Sequence, residues 1–173
     1  LPEYKGGGGL TWRYLNSDTR GVILYHYIDT KIDNGPIIYT HKFLFPKNKK
    51  IHDWINIQIK EEQKGIKKIL KSIYLGNKFK IKKHPKSMSS YFPRINTRLQ
   101  GYINFNWHGY FINRFINGFS FPYEGSSSFI NNYKVNIFKS SFVIKKRQLN
   151  HPFVNGIIFN INKNFIFVFV EGG

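Results

Sequence analysis

Apolar residues in this chain gather in short runs separated by Asn-, Gly- and Pro-bearing turns, with one long helical stretch among them. Val22, Ile23, Leu24, Tyr25, Tyr27 and Ile28 are β-branched, aliphatic or aromatic, as a buried strand requires. Asp29 ends that run. Asp33-Asn34-Gly35-Pro36 predicts a turn in which Asn34 and Gly35 tolerate positive φ and Pro36 blocks a helix. A second strand is expected near Pro36 to Phe45. From about His52 to Leu75 a long helix is predicted, because Ile51, Trp54, Ile55, Ile59, Ile66, Ile69, Leu70 and Ile73 fall mostly at i, i+3, i+4 and make one apolar stripe. Gly65 weakens its middle, and Gly76 stands where a C′ glycine would end it.

The flanking segments read more simply. Gly6 to Gly9 precede Leu10-Thr11-Trp12-Arg13-Tyr14-Leu15, where a short helix is expected. Ser87 to Thr97 reads as irregular, and His108 to Gly118 as a helix with Tyr110, Phe111, Arg114 and Phe115 at helical spacing. The composition then turns strand-like: Ser126 to Ile130, a turn at Asn131-Asn132, Tyr133 to Ile144, Gly156 to Ile161 and Phe165 to Val170. An α/β part over residues 1–123 and a β part over 124–173, a small barrel or meander left unfinished at Gly172-Gly173, are the expected divisions.

Composition narrows the partners. The 173 residues can bury one ordinary core or two small ones, and 41% hydrophobic with 18% aromatic content argues for a folded protein. A net charge of +18 favours anionic partners: nucleic acid, nucleotide phosphates, an anionic membrane surface or a polyanionic cofactor. The joint enrichment of Lys, Asn, Ile, Phe and Tyr is equally what an AT-rich coding sequence yields. Fourteen lysines lie between Lys42 and Lys86 against Asp53, Glu61 and Glu62, either as a solvated helix face or as a polyanion dock. Without cysteine, disulfides and thiolate metal sites are excluded. No apolar run has the roughly 20 residues of a membrane helix, and no signal peptide is visible. The chain begins Leu1-Pro2 without Met, so processing or missing upstream residues are expected.

Standard chemistry is thinly represented. His26, His41, His52, His84, His108 and His151 form no H-E-x-x-H or comparable spacing, so no metal is predicted. Ser126-Ser127-Ser128 lacks a Gly-x-Ser-x-Gly elbow, and no carboxylate pair suits glycoside chemistry. The glycine run is neither G-x-G-x-x-G after a visible strand nor a P-loop, so its phosphate-cradling signal is weak. Asp33 either closes an Asx-turn or presents a carboxylate at a fixed place between two buried strands.

Five segments in order add a family resemblance. Leu1-Pro2-Glu3-Tyr4-Lys5-Gly6 is similar to L-P-x-Y-R-G. Gly21-Val22 with Asp29 and Ile32-Asp33-Asn34-Gly35-Pro36-Ile37 is similar to G-V-T-x-H-x-x-D-x-x-I-D-x-G-x-I. His26 takes the histidine place, with one extra residue in the strand. Tyr91-Phe92-Pro93-Arg94, Gly101 to Phe105 and Pro122-Tyr123-Glu124-Gly125-Ser126 resemble t-y-F-x-R, d-G-x-I-D-W and P-W/Y-P-G-A. Together these resemble the 10-formyltetrahydrofolate-dependent formyltransferases, over nearly the whole chain.

The resemblance implies an α/β fold: the C-terminal part of a Rossmann-like catalytic domain followed by a partial OB-like β-barrel. It implies Asp33 as the catalytic carboxylate, acting with an Asn and a His of an N-x-H segment that would fall before Leu1, so that the 173 residues alone are expected to be inactive. It implies that the loop from Asp29 to Gly35, with Ile32 and Asn34, lies against the pterin of the donor 10-formyltetrahydrofolate. It places Gly7, Gly8, Trp12 and Tyr123 on the acceptor side. Asn104 in place of Asp, Glu124 in place of the second Pro and Asn117 in place of Arg depart from the family pattern. A nucleotide-linked amino sugar is the expected acceptor, with Trp12 and the short tail favouring it and methionyl-tRNA as the alternative. A cytoplasmic enzyme with no metal and no membrane partner is expected. The competing class is a non-catalytic basic RNA-binding protein, with Lys interleaved among Tyr and Phe.

Overall fold

The computed structural model describes residues 3–30, 33–83, 90–144 and 151–173. It divides into two compact units, Leu1–Ile95 and Asn96–Gly173. The composition shift near Tyr123 therefore lies inside the second unit.

The first unit holds α1 (Gly9–Leu15), β1 (Arg20–His26), β2 (Ile37–Leu44) and α2 (Ile51–Tyr74). β1 and β2 pair antiparallel from Arg20↔Leu44 to Tyr25↔Tyr39, and an irregularity then sets His26 opposite Ile37. The parallel layer that a Rossmann-like half implies is thus not formed by these two strands. Their connection is short enough for a hairpin, whereas parallel neighbours need a crossover of a dozen residues or more. Trp54 is the centre of the core. It is fully buried, stacks on Phe45 at 4.3 Å, meets Tyr14 edge-on at 5.1 Å and donates its indole N–H to the Pro46 carbonyl at 3.0 Å. Ile23, Ile37, Ile51 and Ile69 are buried in the same unit.

Local chemistry explains where α2 begins and ends. The Asp53 carboxylate accepts the Lys50 backbone N–H at 3.2 Å, closing the first turn. At the other end Gly76 has φ 68°, its N–H reaches the Ile73 carbonyl, and the Asn77 N–H reaches that of Ser72, a Schellman ending. Gly65 sits mid-helix because the Tyr25 ring covers it: an added Cβ would stand 2.8 Å from that ring. The Tyr25 hydroxyl donates to the Glu62 carbonyl at 2.7 Å, and burial, with the Glu62 charge, pushes the phenol up. His41 on β2 meets Glu61 at 2.8 Å, a second tie between sheet and helix. The stripe expected to face the core is split, however. Ile51, Trp54 and Ile69 are buried, while Ile59, Ile66, Leu70 and Ile73 are exposed.

The second unit holds α3 (Thr97–Gln100), α4 (Gly109–Gly118), β3 (Ser126–Ile130), β4 (Tyr133–Ile137), β5 (Ile158–Ile161) and β6 (Ile166–Val168). Asn96 caps α3 by accepting the Arg98 and Leu99 N–H groups, and His108 Nδ1 caps α4 by accepting that of Tyr110. Ile112, Phe115, Ile116 and Phe119 form the core, with Ser126 and Ser127 buried beside it. β3 and β4 form a hairpin whose Asn131 and Asn132 both take positive φ, 48° and 67°, the demand of a type I′ turn. β5 and β6 form another antiparallel pair. Among the described residues the strands make three two-stranded sheets and no closed barrel.

Candidate active site

Two loops of the first unit carry the residues singled out in the sequence. In the first, residues 4–9 run beside residues 90–94. Lys5 pairs with Tyr91 in a parallel bridge, its N–H on the Ser90 carbonyl at 3.0 Å and its carbonyl on the Phe92 N–H at 2.8 Å. Tyr4 stacks on Phe92 at 4.8 Å, and the Arg13 guanidinium lies 4.4 Å above the Tyr4 ring. Arg13 and Arg20 both pair with Asp18, at 3.1 and 2.8 Å, and the Arg20 hydrogen bonds hold the Asp18 carboxyl below its ordinary range.

These contacts give the glycines a structural reason. A Cβ at Gly6 would run into the Phe92 carbonyl and the Tyr91 ring, and its φ of 102° suits only glycine. A Cβ at Gly8 would stand 2.9 Å from the Pro93 carbonyl, and one at Gly9 as close to that of Tyr4. Gly7 is exposed and meets only the Arg94 side chain, at 3.3 Å. The Trp12 indole N–H is engaged by the Pro93 carbonyl at 2.9 Å, which leaves the ring rather than the N–H to meet a ligand. Close approach by residues 91–93 accounts for Gly6 and Gly8, and the Tyr4 carbonyl accounts for Gly9.

The second loop joins β1 to β2. The Tyr27 N–H reaches the Pro36 carbonyl at 3.0 Å and is the last rung. Beyond it the strand expected through Ile28 is over: Tyr27 is 48% and Ile28 97% exposed. Asp29 bonds the Thr30 N–H at 2.6 Å and hydroxyl at 3.3 Å. Asp33 and Asn34 are exposed. Positive φ falls on Asp33, at 54°, rather than on Asn34 or Gly35. Aspartate is one of the few residues that adopts this region at modest cost. Gly35 is required for a different reason. It is buried, and a Cβ there would collide with the Tyr27 carbonyl and stand 2.9 Å from His26 Nδ1. His26 Nδ1 itself lies 2.8 Å from that carbonyl. Gly35 and His26 therefore lock the loop base while Asp29, Asp33 and Asn34 project from it. Ile32 lies outside the described residues.

The structure brings Gly7, Gly8 and Trp12 together in one cluster and Asp29, Asp33, Asn34 and Gly35 in the other. Tyr123 belongs to the second unit, where its N–H bonds the Ser120 carbonyl at 3.0 Å. Its neighbour Glu124 is held by Arg98 through both carboxylate oxygens at 2.9 to 3.1 Å. That hydrogen bonding holds the Glu124 carboxyl below its ordinary range. Nothing in the linear spacing of Arg98 and Glu124 announces this pair. Among the described residues no three His, Asp or Glu side chains gather as metal ligands would.

The first unit is built on an antiparallel hairpin whose loop presents carboxylates, and the second on helices and short hairpins. Residues 96–173 match the family described as formyl transferase, C-terminal domain, and the chain resembles the formyltransferases. The structure of WlaRD, a sugar 3N-formyl transferase determined with dTDP and 5-N-formyl-THF, aligns with a TM-score of 0.71 and 27% identity. It is matched over 100% of this chain and 59% of its own. The N-formyltransferase from Helicobacter canadensis, in complex with folinic acid and dTDP-3-aminofucose, aligns at TM-score 0.73 and 24% identity, over 100% and 60%. Methionyl-tRNA formyltransferase from Clostridium thermocellum shares the fold at TM-score 0.56 and 14% identity, over 99% and 64%. The chain thus spans about three fifths of the length of the two sugar enzymes. No curated protein sequence matches it.

Proposed function

We propose that this chain forms part of an enzyme that transfers a formyl group from 10-formyltetrahydrofolate to the primary amine of a nucleotide-linked amino sugar. The observation that carries the reading is the likeness of the whole of this chain to 59% of WlaRD at 27% identity, with an aspartate exposed in the loop after β1. In this reading Asp33 is the catalytic carboxylate. The acceptor nitrogen would attack the formyl carbon, the bond from that carbon to N10 of the folate would break, and the proton lost by the amine would end on N10. Asp33 acts with an Asn and a His of an N-x-H segment: those two stabilise the developing oxyanion, and Asp33 orients and polarises the His and helps remove the proton.

The loop's chemistry fits a pterin. Residues 28–30 and 33–34 lie beyond the last hairpin rung and are exposed, offering polar backbone edges, and the 97% exposed Ile28 adds an apolar surface. Asp29, Ile32, Asn34 and Gly35 would line the donor, with Gly35 placing the loop rather than touching it. Gly7, Gly8 and Trp12 would serve the acceptor. Residues 124–173 would be the start of an OB-like β domain.

Initiator-tRNA formylation is the second reading, favoured by the net charge of +18. Formylation of a dTDP-amino sugar and of methionyl-tRNA by the full-length protein, each with 10-formyltetrahydrofolate, tests the choice. The proposal expects turnover of the sugar. Turnover of methionyl-tRNA alone would replace the acceptor, and turnover of neither would remove the enzyme reading.

A further inference from the structure

The exposed half of the α2 stripe has chemistry of its own. Ile59, Ile66, Leu70 and Ile73 follow one another at spacings of seven, four and three residues, which puts them on one helix face. They are 45%, 49%, 60% and 57% exposed. Lys60, Lys64, Lys67 and Lys71, at spacings of four, three and four, form a parallel row on the side away from the core, and all four are exposed. Lys64 pairs with Glu61 at 2.6 Å. From Gln63 to Lys83 the chain carries eight lysines and no acidic residue. The helix thus presents three lanes in order: one buried, one aliphatic and open, one cationic.

Three occupants can be compared by chemistry. A second copy would bring its own lysine row against this one, and like charges repel. Single-stranded nucleic acid would answer the lysines, but it seeks aromatic faces for stacking and gains little from an aliphatic lane. An anionic lipid surface answers both lanes at once, acyl chains taking the aliphatic one and headgroups the lysines. Among the described residues no helix is long and apolar enough to cross a membrane, so α2 would lie along the surface rather than span it. We propose that the outer face of α2, Ile59, Ile66, Leu70 and Ile73 with Lys60, Lys67 and Lys71, is a docking surface for an anionic lipid membrane.

A protein of this charge adheres to any polyanion to some extent, so the aliphatic lane must decide. The test is co-sedimentation of the full-length protein with phosphatidylcholine vesicles and with vesicles that also contain anionic phosphatidylglycerol. The double variant Leu70→Gln/Ile73→Gln leaves the charge unchanged and alters only exposed side chains. It should bind the anionic vesicles about tenfold more weakly. Lys60→Glu/Lys67→Glu/Lys71→Glu should lose binding further than Lys47→Glu/Lys49→Glu/Lys163→Glu, which removes the same charge elsewhere. Far-UV circular dichroism of each variant verifies that α2 is retained. Binding of the Leu70/Ile73 variant at parental strength would overturn the proposal, as would equal losses in the two lysine sets. Failure of the parent to bind anionic vesicles would overturn it too. Tighter binding to an RNA or an acidic protein, indifferent to Leu70 and Ile73, would show the face to be a polyanion dock instead.

Discussion

The two glycine-bearing loops of the first unit use the same residue for opposite ends. Around Gly6 and Gly8 the missing Cβ lets the neighbouring segment at residues 91–93 press against the backbone. At Gly35 the missing Cβ lets the loop fold onto its own base at Tyr27 and His26, and the apex beyond it stays open with Asp33 and Asn34 exposed. A run of four glycines is the louder sequence signal, yet it is beyond the single Gly35 that a loop stays open with exposed carboxylates. What a glycine touches, rather than how many stand together, separates structural from functional use.

Substitutions can break this contrast in graded steps. Gly35→Ala should cost most, about 3 kcal/mol or more, because the new methyl collides with a backbone carbonyl that the hairpin holds in place. Urea unfolding would read it, and a loss under 1 kcal/mol would mean the loop base is not rigid. Gly6→Ala should cost about 2 kcal/mol, from its positive φ and the Phe92 carbonyl, whereas Gly7→Ala should stay within about 0.5 kcal/mol since the Arg94 side chain can yield. Equal effects at Gly6 and Gly7 would contradict the packing account.

A smaller effect comes from the ions beside the first loop. The Asp18 carboxyl is held low in the folded chain by Arg20, so its contribution is full above the unfolded carboxylate pKa of about 3.9 and fades as pH falls through the lower folded value. Asp18→Asn should remove about 1 kcal/mol at neutral pH and flatten the acid limb of the stability curve. An unchanged acid limb in that variant would remove Asp18 from the account.

Periodicity made α2, α4 and the β3–β4 turn legible, because amphipathic spacing and Asn-Asn speak through local geometry. The first strand was legible as a strand, but its last two residues, Tyr27 and Ile28, were not readable as exposed, since hydrophobicity alone cannot say where the hairpin ladder stops. The same blindness hid the split of the α2 stripe: Ile66 and Ile69 look alike in sequence, and only burial in the folded unit distinguishes them. α3 went unread because four residues carry no period, and its cap, Asn96, is one of many asparagines. The antiparallel pairing of β1 with β2 went unread, because the family resemblance directed the expectation toward the parallel layer of a Rossmann-like half. The candidate site was legible at Asp33 from a turn signal and a motif together. The roles of His26 and Tyr27 in seating Gly35 depend on distances that no spacing encodes.

The central claim is that the Asp33 carboxylate, rather than the turn it occupies, matters. Asparagine accepts the φ of 54° at least as readily as aspartate, so Asp33→Asn removes the charge and spares the loop. The decisive measurement is kcat/KM for formyl transfer from 10-formyltetrahydrofolate to a dTDP-amino sugar by the full-length protein and this variant, with urea unfolding of both. The account predicts a loss of about 100-fold or more at unchanged stability. Parental turnover in the variant would contradict it and leave Asp33 as a residue of the turn alone.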